Sequence, residues 1–484
     1  MVEHTVRDRE VVSSSLTTPT MKLYNTLTRK IEDLTPLNPP NVSLYTCGPT
    51  VYDYTHVGHM RAYVINDLLK RTLDYCGFKV TRVMNITDVG HLTGDNDTGI
   101  DKLEKGAKKA SKSVWEVVKF FTDYFFITTD ALNILRPDIT CKATDHISDM
   151  IQLINRLKQN GLVYETKEAL YFDVTKFKNY GKLSGQKLED KVQAARDDIN
   201  VDPEKKHPAD FSLWFKRVGR FADHTMYWPS PWGDGFPGWH IECSAMGMKY
   251  LGETIDIHTG GIDHIPVHHE NEIAQSEGAT GKQFVKIWFH NNFLTVDGQK
   301  MSKSLGNIYK LEDLKKHGIG PLAVRYLFLQ SHYRQLMNFT WESARASQEA
   351  FIRLKEIALN LKPQKNLITL KSQKAINYQK QFIDAISTDL QTPKAIAVMW
   401  DMIKSDIAND EKYFLLLDFD KVFGLNLGKM IKEKVPVNII KLAEARLEAR
   451  RLKDFNMSDK LRIRIENAGY KIEDLGDDYK IKKI

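Results

Sequence analysis

Residues 42–59, VSLYTCGPTVYDYTHVGH, decide the fold. Val42, Leu44 and Tyr45 lead into Cys47 as a short strand, and Gly48 and Pro49 end it. After His59, Val64, Ile65, Leu68, Leu69, Leu73 and Cys76 recur at helical spacing, with Gly77 as the stop. Val80, Val83, Met84 and Ile86 then predict a second strand. Strand, helix and strand within about 45 residues make a βαβ unit, and therefore a parallel sheet. Ligands of such sheets bind beyond the carboxyl ends of the strands, which singles out 47–59 and 87–91.

Around this unit lies a chain of 484 residues, 42% apolar and 27% charged, with material for several domains. The net charge of +7 is compatible with a polyanionic partner without requiring one. The four cysteines, Cys47, Cys76, Cys141 and Cys243, form no CxxC pair. Their scatter excludes a disulfide scaffold and points to a reducing compartment. Cys76 and Cys141 read as helix-core thiols. No apolar run reaches the ~18 residues of a membrane span. Residues 1–20 end in a Ser/Thr-rich run without an apolar signal core, and read as a flexible extension.

Residues 112–160 predict helices, with Phe120, Phe121, Tyr124, Phe125 and Phe126 as core. Short aromatic strands from about 165 to 235 read as an insertion, and strands resume at Thr254–His258 and Val285–His290. The texture is helical from about 345, with a helix connection at 363–369 and a break at 435–436. The last segment is predicted to hold two helices and a hairpin over Tyr470–Ile481. Its stretch 441–464 carries eight basic residues against four acidic ones, and Arg446, Arg450 and Lys453 fall on one helical face. Taken alone, that is a solvated face.

Three groups of residues carry chemistry. His56-Val57-Gly58-His59 stands where the first strand turns into the first helix. Glycine there admits a ligand close to the backbone, a helix N-terminus favours phosphate, and two imidazoles can donate to phosphoryl charge. Lys300-Met301-Ser302-Lys303-Ser304 offers two lysines and two hydroxyls in a loop, suited to a triphosphate. His268 and Glu272, four apart, share a helical face, and with Cys47 and Cys243 they offer a zinc donor set. The HExxH alternative fails because the residue after His269-Glu270-Asn271-Glu272 is Ile273, and no Walker A loop is present.

HVGH followed by KMSKS resembles the paired signatures of class I aminoacyl-tRNA synthetases, with Val57 in place of the isoleucine of HIGH. TCGPTVYDYTHVGH, NITDVGH, GWHIECSAM, HHENEIAQS and KMSKSLGN, in that order, resemble the cysteinyl-tRNA synthetase family from about Lys22 to the end. The resemblance implies an α/β, Rossmann-type parallel-sheet catalytic domain over 21–310 with an insertion at about 126–236. A stem-contact region (311–345), an α-helical bundle (346–435) and a small C-terminal anticodon-binding domain (436–484) would follow.

It further implies one zinc ion on Cys47, Cys243, His268 and Glu272, and Mg²⁺ entering with ATP. Catalytic roles fall on His56, His59, Lys300 and Lys303. ATP contacts fall on Gly58, Gly260, Gly261, Asp263 and Lys303, and the cysteine pocket on Thr87, Trp239 and His258. The expected activity is ATP-dependent ligation of L-cysteine to tRNA(Cys) through a cysteinyl-adenylate, in a cytoplasmic, membrane-free monomer. Two alternatives are a cysteine:amino-sugar ligase of the mycothiol type and a non-catalytic tRNA-binding paralogue. The arm of about 140 residues beyond the catalytic region argues against the first. Intact HVGH and KMSKS argue against the second.

Overall fold

The computed structural model describes residues 20–90, 92, 101–188, 202–363, 370–429, 436–476 and 478–483. The expectations for 1–20, for the connection at 363–369 and for the break at 435 fall almost wholly outside these residues. The chain divides into two compact units, the first running to Gly428 and the second starting at Lys429.

The first unit opens with a hairpin, β1 (Lys22–Asn25) and β2 (Lys30–Asp33). The βαβ unit follows as β3 (Asn41–Thr46), α1 (Val57–Tyr75) and β4 (Lys79–Ile86). Helix α1 begins two residues before His59 because His56 supplies the cap. Its Nδ1 accepts from the backbone N–H of Gly58 at 3.2 Å and of His59 at 3.5 Å, replacing the usual Ser or Asp. Gly77, at φ +88°, ends the helix.

Helices α2 (Lys102–Ala110) and α3 (Val114–Ala131) lead to β5 (Ile139–Lys142) and α4 (Ile147–Gln159). Residues 139–142, expected to be helical, form a strand instead. They follow Pro137, carry β-branched Ile139 and Thr140, and pair in parallel with β4. Cys141 is therefore a buried strand thiol rather than a helix-core one, while Cys76 caps α1. The aromatic run on α3 is only partly core. Phe125 is buried, but Phe120 is 44% exposed, because a stripe this wide exceeds the single face that α3 turns inward.

An antiparallel sheet of β6 (Val163–Glu165), β7 (Ala169–Phe172), β8 (Phe211–Lys216) and β9 (Gly235–Pro237) comes next. The chain then returns as α5 (Trp239–Leu251), β10 (Ile255–Gly261), α6 (His268–Thr280) and β11 (Val285–Asn291). The central sheet has the order β11-β10-β3-β4-β5 and is parallel throughout. Its strand order reverses beside β3, between β10 and β4. The topological switch point thus lies at the carboxyl end of β3, where Cys47 stands. Helices α4, α5 and α6 bury one apolar cluster that includes Ile154, Leu157, Met246, Ile273 and Trp288.

Beyond the sheet, β12 (Leu294–Val296) leads to Lys300–Ser304, then to α7 (Leu311–Lys316), α8 (Pro321–Leu329), β13 (Met337–Phe339) and α9 (Trp341–Leu361). Helices α10 (Gln373–Ser387), α11 (Thr392–Lys404) and α12 (Asn409–Phe423) complete the unit. Buried Arg325 on α8 ties them to α1, donating to Asp67 Oδ2 at 2.6 Å and to the Phe423 carbonyl at 2.6 Å. Among the described residues no helix is long and apolar enough to cross a membrane.

The second unit holds α13 (Val437–Arg451), α14 (Phe455–Asn467) and the hairpin β14 (Tyr470–Leu475) and β15 (Asp478–Lys483). Its basic face is not fully solvated. Arg446 is buried and donates to both carboxylate oxygens of Asp474, at 2.6 and 3.1 Å, and Arg450 pairs with the same carboxylate. Lys453 lies beyond the helix end at φ +61°. The hairpin brings a carboxylate against α13, which no helical wheel can foresee.

Candidate active site and metal-binding cluster

The carboxyl ends of β3, β4, β10 and β11 converge on one cleft. Register pairs Thr46 with Met84 and with Thr259, so Cys47 projects from the sheet between the ends of β4 and β10. Gly48 follows because the chain runs against β4 here. A Cβ at this position would lie 1.5 Å from the Asn85 carbonyl oxygen, and the Gly48 N–H donates to Asn85 Oδ1 at 2.8 Å.

Cys47, His268, His269 and Glu272 offer ligand atoms that all lie within 4.8 Å of one another, and all four are buried. Cys243, on α5, stands at the same place. Its thiol interacts with Cys47 and His268, though its sulfur is not among that group of four. Cys47, His268 and Glu272 of the expected donor set therefore meet with Cys243 beside them, and the close group is completed by His269, which the sequence reading passed over. A doublet of histidines at 268–269 signals that both faces of a helix are in use, but only packing tells which imidazole does what. His268 turns Nδ1 to His240 at 3.0 Å and leaves Nε2 2.9 Å from Glu272 Oε1. His269 sets Nε2 3.4 Å from Cys47 Sγ, and its Nδ1 meets His290 Nε2 at 2.7 Å. His290 in turn reaches Thr26 Oγ1 at 2.8 Å.

The cluster fits a zinc ion by its own chemistry. Two thiols, an imidazole and a carboxylate match zinc's preferred donors. Glu272 Oε1 is buried with no well-directed hydrogen bond despite its closeness to His268, as two ligands aimed at a common centre would be. Glu272 Oε2 is held by His258 Nε2 at 2.9 Å, the outer-shell contact that orients a ligating carboxylate. Burial opposes ionisation of Glu272, but neighbouring His258 and His268 outweigh it and hold the carboxyl at about 2. Burial raises the Cys47 thiol, and the contact with Cys47 together with burial raises Cys243. Without a cation both therefore keep their protons at neutral pH.

The expected cysteine-pocket residues separate. Thr87 donates to Glu242 Oε2 at 3.0 Å and accepts from Asn85 Nδ2 at 3.0 Å, at the end of β4. Trp239 stacks on His268, ring centroids 4.5 Å apart, at the edge of the cluster. His258 is fully buried between Trp288 and Glu272 and faces no open pocket. Gly260 and Gly261 end β10. A Cβ on Gly260 would lie 2.4 Å from the His269 ring, so glycine there is required by the histidine cluster itself. Asp263 is exposed just beyond.

The HVGH and KMSKS segments face each other. His56 and His59 stack with centroids 3.7 Å apart, and burial pushes the His56 imidazole down to about 4, so it is neutral at physiological pH. The lysine loop crosses above them. The Val57 N–H donates to the Tyr309 carbonyl at 2.9 Å, and Met301 Cε sits over Gly58. Lys303 is ion-paired with Asp53, six residues before His59, a partner the sequence reading did not single out. Ser302 and Asn307 brace the loop through Ser302 N–H to Asn307 Oδ1 at 2.8 Å, and Asn307 Nδ2 donates to the Lys300 carbonyl at 3.2 Å. The Lys300 side chain is exposed.

A parallel sheet of this order, with an HVGH-capped first helix and a lysine loop across the switch point, is the architecture of class I aminoacyl-tRNA synthetases. The family model described as tRNA synthetases class I (C) catalytic domain matches residues 33–349. Methionyl-tRNA synthetase of Mycobacterium tuberculosis, solved with methionyl-adenylate, shares the fold. Its TM-score is 0.57 at 17% identity, covering 80% of this chain and 92% of that one. Two cysteine–tRNA ligases are far nearer in sequence. That of Treponema denticola is 44% identical, covering 94% of this chain and 98% of its own length, and that of Burkholderia lata is 41% identical, covering 94% and 95%. The chain belongs to the cysteine–tRNA ligase family.

Proposed function

We propose that this protein is an enzyme that activates L-cysteine with ATP and transfers it to tRNA(Cys). The observation that carries this reading is the convergence, at one switch point, of a thiol- and histidine-rich donor cluster with the HVGH and KMSKS segments. In-line attack of the cysteine carboxylate on the α-phosphorus forms the adenylate and expels pyrophosphate, so no side-chain nucleophile is needed. Catalysis is then positioning and charge stabilisation.

His56 and His59, presented at the N-terminus of α1, donate to the α-phosphoryl oxygens while the open helix end favours negative charge. Gly58 lets the nucleotide approach the backbone between them. Lys303 leaves Asp53 for the pyrophosphate oxygens, Lys300 joins it from the exposed side, and Mg²⁺ accompanies the nucleotide. Gly260, Gly261 and Asp263 border the adenosine side of the cleft, and Thr87 and Trp239 flank the amino acid. His258 acts through Glu272.

Cys47, Cys243, His268 and Glu272 would hold a zinc ion, which when bound selects a thiolate over the serine hydroxyl that shape alone separates poorly. The activated acyl group then passes to a ribose hydroxyl of the tRNA. The unit beyond Lys429, with half-buried Arg462 and exposed Phe455, serves as the anticodon-binding domain, where cations meet phosphate and exposed side chains meet unpaired bases. We read the enzyme as a cytoplasmic monomer that needs no membrane.

Cysteine-dependent ATP–pyrophosphate exchange, followed by charging of a tRNA(Cys) transcript, tests the whole reading. Both reactions are expected. Exchange without charging would support an amino-sugar ligase, and neither reaction, with tRNA still bound, would support a non-catalytic tRNA-binding paralogue.

A further inference from the structure

Arg61 lies on α1 two residues past His59 and is 1% exposed. Its guanidinium makes four hydrogen bonds, all to backbone carbonyls. Nη1 donates to Asn292 at 2.7 Å and to Phe293 at 2.8 Å. Nη2 donates to Gln335 at 2.8 Å and to His332 at 3.2 Å. Among the described residues no carboxylate pairs with it. Burying an uncompensated cation is costly, and carbonyl dipoles alone offset the cost here. Such an arrangement is expected where the geometry, rather than the charge, is being used.

The four carbonyls belong to two segments with one destination. Asn292 and Phe293 join β11 to β12, and His332 and Gln335 lie in the turn before β13. Strands β12 and β13 pair in parallel, Leu294 with Met337 through Val296 with Phe339. The two segments are also linked directly, by Asn292 N–H to the Tyr333 carbonyl at 2.9 Å and Met337 N–H to the Phe293 carbonyl at 3.1 Å. Val296 then closes a turn with Gln299, and Lys300 follows at once. The strand pair is therefore the footing of the lysine loop, and Arg61 is the bolt between that footing and the first two turns of α1. A planar fork with donors at fixed angles can hold two carbonyl pairs in one orientation, and a lysine ammonium cannot.

We propose that Arg61 is a positioning residue for adenylate formation, setting the separation between the HVGH imidazoles and Lys303 so that both address one triphosphate. The inference rests on the nucleotide-binding reading of those two segments. It places a requirement of the ATP half-reaction in a side chain that touches no substrate. The donor cluster at Cys47 is built from residues at the ends of β3 and β10 and on α5 and α6, and Arg61 makes no hydrogen bond to any of these elements.

The test uses Arg61→Lys and Arg61→Met in the full-length enzyme, with Arg325→Lys as a control. Arg325 is another fully buried arginine that also donates to backbone carbonyls and ties α1 to helix α12, away from the lysine loop. The readouts are kcat and KM for ATP in cysteine-dependent pyrophosphate exchange, zinc content, and the thermal midpoint. Both Arg61 variants are expected to lose roughly tenfold or more in exchange kcat, with zinc content unchanged, since ångström-scale misplacement of reacting groups costs this much. Arg325→Lys, matched to them for loss of thermal midpoint, is expected to keep kcat within about twofold of the parent. If Arg61→Lys folds and keeps the parental kcat and ATP KM, or if Arg325→Lys shows the same kcat loss, the role is structural and the inference is overturned. Should Arg61→Met fail to fold, Arg61→Lys alone decides. Absence of exchange in the parent enzyme would instead overturn the functional reading.

Discussion

Gly58 and Met301 are in contact: a Cβ on Gly58 would stand 2.5 Å from the Met301 methyl carbon. The third residue of one signature and the second residue of the other are thus packed together across about 240 positions of sequence. The methionine anchors the lysine loop, and the glycine leaves room for it.

Gly58→Ala should push aside the Met301 methyl, the free end of a flexible side chain, and crowd the His56 ring, 3.1 Å from the added Cβ, even though alanine suits a helix better than glycine. We expect adenylate formation to fall by an order of magnitude or more, read by pre-steady-state exchange. Shortening the opposing side chain in Gly58→Ala/Met301→Ala should restore part of the rate. A double variant no faster than Gly58→Ala would show that the contact does not govern the loop.

Lys303→Ala should slow adenylate formation while zinc content stays at the parental level. Asp53→Asn removes the counter-ion that holds Lys303 in the free enzyme. Releasing the lysine should lower the KM for ATP, and the change should vanish in the Lys303→Ala background. Equal effects of Asp53→Asn in both backgrounds would separate Asp53 from Lys303.

Cys243→Ser should lose bound zinc and sharply weaken cysteine activation. His269→Gln should keep the metal, with affinity lowered on the order of 10- to 100-fold, as for loss of a group that orients a ligand. Metal analysis of both purified variants decides between Cys243 and His269 as the fourth ligand. Zinc retained in Cys243→Ser and lost in His269→Gln would reverse the assignment.

Zinc binding should also release protons. The Cys47 and Cys243 pKa values are raised in the metal-free site, so both thiols are protonated at neutral pH and must ionise to ligate. Burial lowers the His268 pKa, but Glu272 and Cys243 outweigh it and raise it to about 10, so this imidazole must also lose a proton. About three protons per zinc are expected from pH 6 to 8, and affinity weakens as pH falls by about three orders of magnitude per pH unit. Proton release on metal addition to the apo-enzyme, followed with a pH indicator, measures it. Fewer than two protons per zinc would mean the thiols are not both ligands.

In the second unit, Arg446→Ala should destabilise α13 and its hairpin by about 3 kcal/mol, the low end for a buried ion pair because Asp474 is partly exposed. Hydrogen exchange at α13 amides in the full chain reports it. Arg462→Ala, at a more exposed arginine, should leave that protection unchanged yet weaken tRNA binding and reduce its salt dependence.

By itself the sequence determined the class of fold and the chemistry. A strand, a helix and a strand in one short stretch require a parallel sheet, and HVGH and KMSKS are local strings whose residue types already match a triphosphate. Cys47, Cys243, His268 and Glu272 could be nominated from the resemblance, though the two cysteines lie 196 residues apart and spacing alone could not join them. The tertiary structure decided which side chains meet. It put His258 behind Glu272 rather than in a pocket, added His269 beside Cys47, set Asp53 on Lys303, buried Arg446, and turned 139–142 into the fifth strand of the sheet. Each of these depends on groups contributed by distant segments. Periodicity reports which face of an element is apolar, whereas the partner of a buried polar group is fixed only once the segments have packed.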